Sequence, residues 1–266
     1  MKNLIDISRS VKLPEYPFEF SICTLVTRKE EYSEMLATYM AKGFSTEKCE
    51  FLYIDNSEGH TFDAYKGLTH FLRQSNGKYI IICHQDILIH KDNIDDLKLR
   101  LSQLDHIDPH WAICGNAGAA GPNHIVYHIT YPNGSVNSKG KFPLAVSTLD
   151  ENFLLIKNEA SLSLSRDLTG FHLYGTELCL QASVKGYSAY VIDFDLTHKS
   201  RGNPDHNFYQ TRDALIKKYN HFFRSRWLQT NITVFHLSGS LIGRLTGNPL
   251  SLFFIRMYNG FKKKLG

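Results

Sequence analysis

Three carboxylates and a histidine stand where this chain can do chemistry. Asp86 closes the polar triplet His84-Gln85-Asp86, which interrupts the apolar run of residues 79–89. An apolar run of that kind fits a strand buried on both faces. A carboxylate at its exit has lost water, and that loss is costly unless a cation or hydrogen-bond donor meets it. Asp55 ends a second such run, Glu177 stands before the helix-like run of residues 178–184, and His198 follows the last strand-like segment. With an imidazole and the oxygens of a diphosphate, Asp86 completes a shell suited to Mg²⁺ or Mn²⁺. Glu177 has the chemistry of a general base toward an acceptor hydroxyl. Each residue also has a purely structural use. Asp86 can cap the next turn, Glu177 can meet a helix dipole in a first turn, and His198 can be a hydrogen-bonded core histidine.

The elements that must position these groups follow from periodicity. Residues 18–26 read as a strand, and residues 32–42 carry Met35, Leu36, Tyr39 and Met40 at helical spacing, with Gly43 placed to end the helix. Residues 50–54 form a second strand, 62–74 a helix, 79–83 a third strand and 93–104 another helix. Strand and helix alternate three times, which predicts βαβ units and a parallel sheet. A parallel sheet sets Asp55 and Asp86 along one carboxyl edge, where open α/β sheets bind ligands. Further strands are expected at residues 111–114, 145–157 and 187–194, with an irregular hairpin over 125–131 and beyond. The strand-like run 145–157 has Asp150 and Glu151 in its middle.

Several chemistries are excluded. The glycines at 115, 118 and 121 follow the fourth strand with G-x-x-G-x-x-G spacing, lack the dinucleotide fingerprint and its downstream acid, and predict a tight backbone corner near a ligand. No G-x-S-x-G elbow and no Walker A loop occurs. The five cysteines form no CxxC pair and read as buried free thiols of a reducing compartment, without zinc. The chain has 266 residues, 42% hydrophobic and 21% charged, as expected of a globular protein, and its charge of +4 does not argue for nucleic acid. No secretory h-region and no bilayer-length apolar run occurs, so a cytoplasmic body is expected.

The ordered set Tyr53-Ile54-Asp55-Asn56-Ser57, Ile82-Cys83-His84-Gln85-Asp86-Ile87, the stretch from Gly170 to Leu180 and His198-Lys199-Ser200-Arg201-Gly202-Asn203 resembles a family-2-type GT-A glycosyltransferase. More narrowly it is similar to the subgroup named after a streptomycin-biosynthesis protein, which carries H-Q-D in place of D-x-D. The resemblance spans residues 18–219. It implies an α/β, Rossmann-like GT-A fold with a mostly parallel central sheet flanked by helices. It implies transfer of a sugar from a nucleotide-diphosphate donor to a glycan or lipid-linked glycan in cell-surface polysaccharide assembly, with inversion. It places Asp55 at the nucleobase or ribose, and Thr27, Asn56, His84, Gln85 and Gly115 with Asp86 in the donor site. It gives Asp86 and His198 to a Mn²⁺ or Mg²⁺ ion and Glu177 to the base. Two departures are His84 in place of the first Asp of D-x-D, and Thr176-Glu177 in place of a Glu-Asp pair.

The organisation expected is a leader over 1–17, the GT-A domain over 18–220 and a basic, aromatic, helical extension over 221–266. In that tail Arg224, Arg226, Arg244, Arg256 and Lys262–Lys264 alternate with aromatic and aliphatic residues. Such a segment suits either the inner face of an anionic membrane or packing on the domain or a second copy of the chain. Two other functions compete with glycosyl transfer: a nucleotidyltransferase, which would show a glycine- and lysine-rich loop after strand one, and a non-catalytic scaffold binding nucleotide-sugar or glycan.

Overall fold

The computed structural model describes residues 7–59, 61–200 and 205–265. Arg201, Gly202 and Asn203 of the motif after His198 lie outside the described residues. The chain divides into two units, residues 1–211 and 212–266.

The first unit begins as periodicity predicts, with β1 (Phe18–Val26), α1 (Lys29–Ala41), β2 (Cys49–Asp55), α2 (Ala64–Gln74) and β3 (Gly77–Cys83). Then come β4 (Ile87–Leu88), α3 (Ile94–Ile107) and β5 (Trp111–Gly115). Asp63 caps α2 by accepting the Lys66 amide at 2.9 Å, and Asn93 with Asp96 forms a capping box on α3. The glycine-rich run is a strand, β6 (Ala117–Gly121), paired antiparallel with β7 (His124–Thr130) and followed by β8 (Val136–Lys139). The expected corner is confined to Asn116, where the chain leaves one sheet for the other. The run 145–157 divides into β9 (Leu144–Val146), β10 (Thr148–Leu149) and β11 (Phe153–Lys157). Then follow α4 (Tyr174–Val184), β12 (Ser188–Val191) and β13 (Thr197–His198). α5 (His206–Phe223) crosses the unit boundary.

The larger sheet has the order β2-β1-β3-β11-β5-β12-β9. The expected mostly parallel sheet is corrected here, because only half of its pairings are parallel: β1 with β2, β1 with β3, and β5 with β12. β11 enters antiparallel between β3 and β5, since the chain turns back at Asp150–Asn152 without a crossover helix. That insertion matters for the site. Phe153 pairs with Cys83, and Asn152 accepts the His84 amide at 3.1 Å, so the acidic turn abuts the end of β3. The second sheet, β10-β6-β7-β13-β4, pairs His198 with Ile87 and so carries the histidine to the residue after Asp86. Phe20, Ile81, Trp111, Phe153 and Phe194 lie in one buried core cluster with the apolar faces of α1 and α3.

In the second unit the tail is not wholly helical. A hairpin of β14 (Arg226–Gln229) and β15 (Val234–Leu237) precedes α6 (Leu241–Leu245) and α7 (Pro249–Leu265). Among the described residues no helix is long and apolar enough to cross a membrane.

Candidate functional site

A cleft of about 330 Å³ opens at the carboxyl ends of β1, β2 and β3. Thr27 and Arg28 come to it from the end of β1, Asn56 from the end of β2, and His84, Gln85 and Asp86 from the end of β3. Phe171, His172 and Tyr174, from the approach to α4, close another side. The volume is at the small end of ligand sites.

Asp86 is only 5% exposed. Its Oδ2 lies 3.6 Å from His198 Nε2, and the His84 and His198 rings meet edge-on with centroids 6.0 Å apart. One ligand atom from each of His84, Asp86 and His198 lies within 4.8 Å of the others, so the three form a cluster able to hold a divalent ion. The donor set fits such an ion in kind, since a buried carboxylate supplies charge and two imidazoles supply neutral nitrogen. Desolvation pushes the Asp86 carboxyl up, but the Ser200 hydroxyl, His198 and His84 outweigh it, and the group lies below its ordinary range. For the His84 imidazole, desolvation by the cleft wall is the largest influence. Together with His198 it outweighs Asp86 and holds the ring below its ordinary value. His84 Nε2 is also 3.1 Å from the Tyr174 hydroxyl, which donates to the Glu151 carbonyl at 3.2 Å.

Other residues named from sequence have structural partners. Gln85 Oε1 accepts the amides of Thr27 and Arg28, each at 2.9 Å, and its Nε2 donates to the Thr27 hydroxyl at 2.9 Å. Gln85 therefore staples the β1–α1 turn that forms one wall of the cleft. Asn56 does the same for the next loop. Its Nδ2 donates to the Phe62 carbonyl at 2.9 Å, and its Oδ1 accepts the Phe62 amide at 3.2 Å. Asp55 does not line the cleft. It pairs with Lys29 at 2.8 Å and accepts from Ser57, and these contacts hold its carboxyl well below the usual range. Gly115 is buried within the sheet, where an added Cβ would stand 2.7 Å from the Phe153 carbonyl oxygen, so close strand packing accounts for this glycine.

Glu177 is fully buried on α4, and its Oε2 accepts the Ser165 amide at 3.2 Å. It is not among the residues lining the cleft. Two further carboxylates, Asp150 and Glu151, stand in the turn before β11, next to the Asn152 carbonyl that accepts the His84 amide, although neither lines the cleft. Asp150 is exposed, accepts the Asn152 amide at 3.0 Å and acts electrostatically on His84. Glu151 is packed against the start of α4, where Leu173 and Gly175 donate their amides. Desolvation first, and Asp150 second, push its carboxyl up to about 8. The cue for this pair was two adjacent acids breaking an apolar run. Nearby, Leu173 holds a left-handed backbone (φ 63°), an uncommon conformation for a leucine, at the start of α4 beside the cleft.

No family model matches the sequence. The chain is 37% identical over 215 residues to the protein described as ATP synthase subunits region ORF 6 of Fuscovulum blasticum, covering 79% of this chain and 86% of that one. In fold it is similar to S. aureus TarS 1-349 in complex with UDP-GlcNAc, with a TM-score of 0.51 at 14% identity over 76% of this chain and 67% of that one. A structure of S. aureus TarS gives a TM-score of 0.50 at 12% identity, again over 76% of this chain but only 40% of that one. At these identities the likeness is one of fold, and the fold is GT-A-like.

Proposed function

The chain belongs to the family of that Fuscovulum blasticum protein, and we propose that it is a glycosyltransferase. It would move a sugar from a nucleotide-diphosphate donor to a hydroxyl of a glycan or lipid-linked acceptor, with inversion. The observation that carries this reading is Asp86, a buried carboxylate just past the end of the central strand β3, facing a cleft with His84 and 3.6 Å from His198. Support comes also from a chain of similar fold having been crystallised with UDP-GlcNAc.

In this reading the staples made by Gln85 and Asn56 hold the turns that receive the nucleotide, and Arg28, paired with Glu31 at 3.0 Å, stands on the wall where a diphosphate would lie. His84, Asp86 and His198 would hold the divalent ion. Mn²⁺ suits two imidazoles better than Mg²⁺ does, and when bound the ion supplies positive charge toward the leaving diphosphate. The acceptor hydroxyl must lose its proton to a carboxylate that reaches it. Glu177 was the residue expected from sequence, but it is buried with its oxygen on the Ser165 amide, and we assign it the positioning of that segment against α4. We assign the base to Asp150, which is exposed and acts electrostatically on His84. The amides of Thr27 and Arg28 are already taken by Gln85, which disfavours the phosphate loop of a nucleotidyltransferase there.

Isothermal titration with UDP-, GDP-, CMP- and dTDP-sugars, with and without Mn²⁺, tests the reading. Binding of one nucleotide class, strengthened by Mn²⁺, is expected. Binding of none would leave the scaffold function in its place.

A further inference from the structure

Residues 212–266 carry ten basic side chains and one acidic one, Asp213, a net charge of +9. Because the whole chain totals +4, residues 1–211 are at −5, and the modest overall charge conceals a strong segregation. Segregation alone is a solvated basic surface, and an apolar feature is needed to say more.

α7 supplies that feature. Leu250, Phe253, Phe254, Met257, Tyr258 and Phe261 are each 47–66% exposed. Their spacing of three and four residues sets all six on one helical arc about 140° wide. On the rest of the helix lie Ser251, the half-buried Leu252, Ile255, Arg256, Asn259 and Gly260, and Lys262, Lys263 and Lys264 follow in sequence. In α6, within the same unit, Leu241, Ile242 and Leu245 are 77–79% exposed beside Arg244. A contiguous apolar stripe left to water marks a contact surface. A second copy of the chain is a poor occupant, because pairing through this face would bring two units of charge +9 together. An anionic surface with an apolar interior satisfies both features at once.

We propose that residues 212–266 dock on an anionic lipid surface. α7 lies along the plane of the membrane, its apolar stripe at the boundary between headgroups and acyl chains and its basic residues beside the headgroups. No residue of this stripe lines the cleft, so membrane docking does not depend on glycosyl transfer.

The test is flotation of the full chain with phosphatidylcholine vesicles containing about 30% phosphatidylglycerol, compared with pure phosphatidylcholine. The wild type should partition onto the anionic vesicles at least about tenfold better, and the difference should shrink in high salt. The double variant Phe254→Glu/Phe261→Glu places charge in the centre of the stripe and should lower partitioning by about tenfold or more. Both side chains are exposed, so its thermal melt should match the wild type. Equal recovery on both vesicle types, or equal recovery of wild type and variant, would overturn the proposal. So would a lipid-free dimer that the double variant dissociates, because the stripe would then belong to a second copy.

Discussion

Glu151 offers a quantitative test of how the site is built. Packing against the start of α4, with Asp150 adjacent, raises its carboxyl from 4.5 to about 8, even though the Leu173 and Gly175 amides oppose the shift. In the unfolded chain the group ionises near its ordinary value, so from about pH 4.5 upward the unfolded state releases a proton that the folded state keeps. The sign is therefore unfavourable. Stability falls as pH rises above 4.5, and the loss is complete above about 8. That interval is equivalent to about 5 kcal/mol, and water at the part-exposed edge of the residue reduces it to on the order of 3 kcal/mol. Glu151→Gln keeps the shape, stays neutral and leaves an oxygen for the two amides. The variant should match the wild type near pH 5 and exceed it by roughly 3 kcal/mol near pH 9. Urea unfolding of both proteins from pH 5 to 9 measures the difference, in which every other titrating group cancels. A difference that stays flat across this range would refute the reasoning, since Glu151 would then titrate as an ordinary carboxylate. Adding Asp150→Asn to both proteins should shrink the pH-dependent gap.

Gln85→Leu strips the acceptor from two amides and the donor from one hydroxyl, so it should cost about 2–3 kcal/mol in urea unfolding and weaken donor binding. Asp150→Asn should lower kcat by about 100-fold or more with little change in donor KM, as loss of a general base requires. Glu177→Gln should instead lower stability and leave kcat within about threefold for the protein that remains folded. The reverse pattern in steady-state kinetics would return the base to Glu177. His198→Ala should weaken Mn²⁺ binding by about tenfold or more in a calorimetric titration of the metal alone.

The first hundred residues were legible because their periodicities are long and clean, and β1, β2, β3 and the three helices stand close to where patterning puts them. β11 was not, because Phe153-Leu154-Leu155-Ile156 reads the same in either strand direction. Only the turn at Asp150–Asn152 reverses it, and that reversal sets the acidic turn against the end of β3. β4 and β13 have two residues each, too short for any periodicity, yet their pairing is what brings His198 to Asp86. Motif order suggested the approach of this histidine to the aspartate, and no local pattern did. A first-turn glutamate after a glycine-rich stretch reads alike whether it points to a cleft or a core, so the burial of Glu177 is not legible in the sequence. The hairpin of β14 and β15 escaped notice because four-residue strands of mixed basic and aromatic residues carry no decisive alternation.

The most direct measurement is donor turnover by the wild type and Asp86→Asn in the presence of Mn²⁺, using whichever nucleotide-sugar binds in calorimetry. The substitution preserves shape and removes the buried charge beside His84 and His198. Release of the nucleotide diphosphate should fall by at least about 100-fold while the variant keeps the wild-type fold by circular dichroism. A folded Asp86→Asn protein that turns the donor over at the wild-type rate would show that Asp86 plays no part in glycosyl transfer.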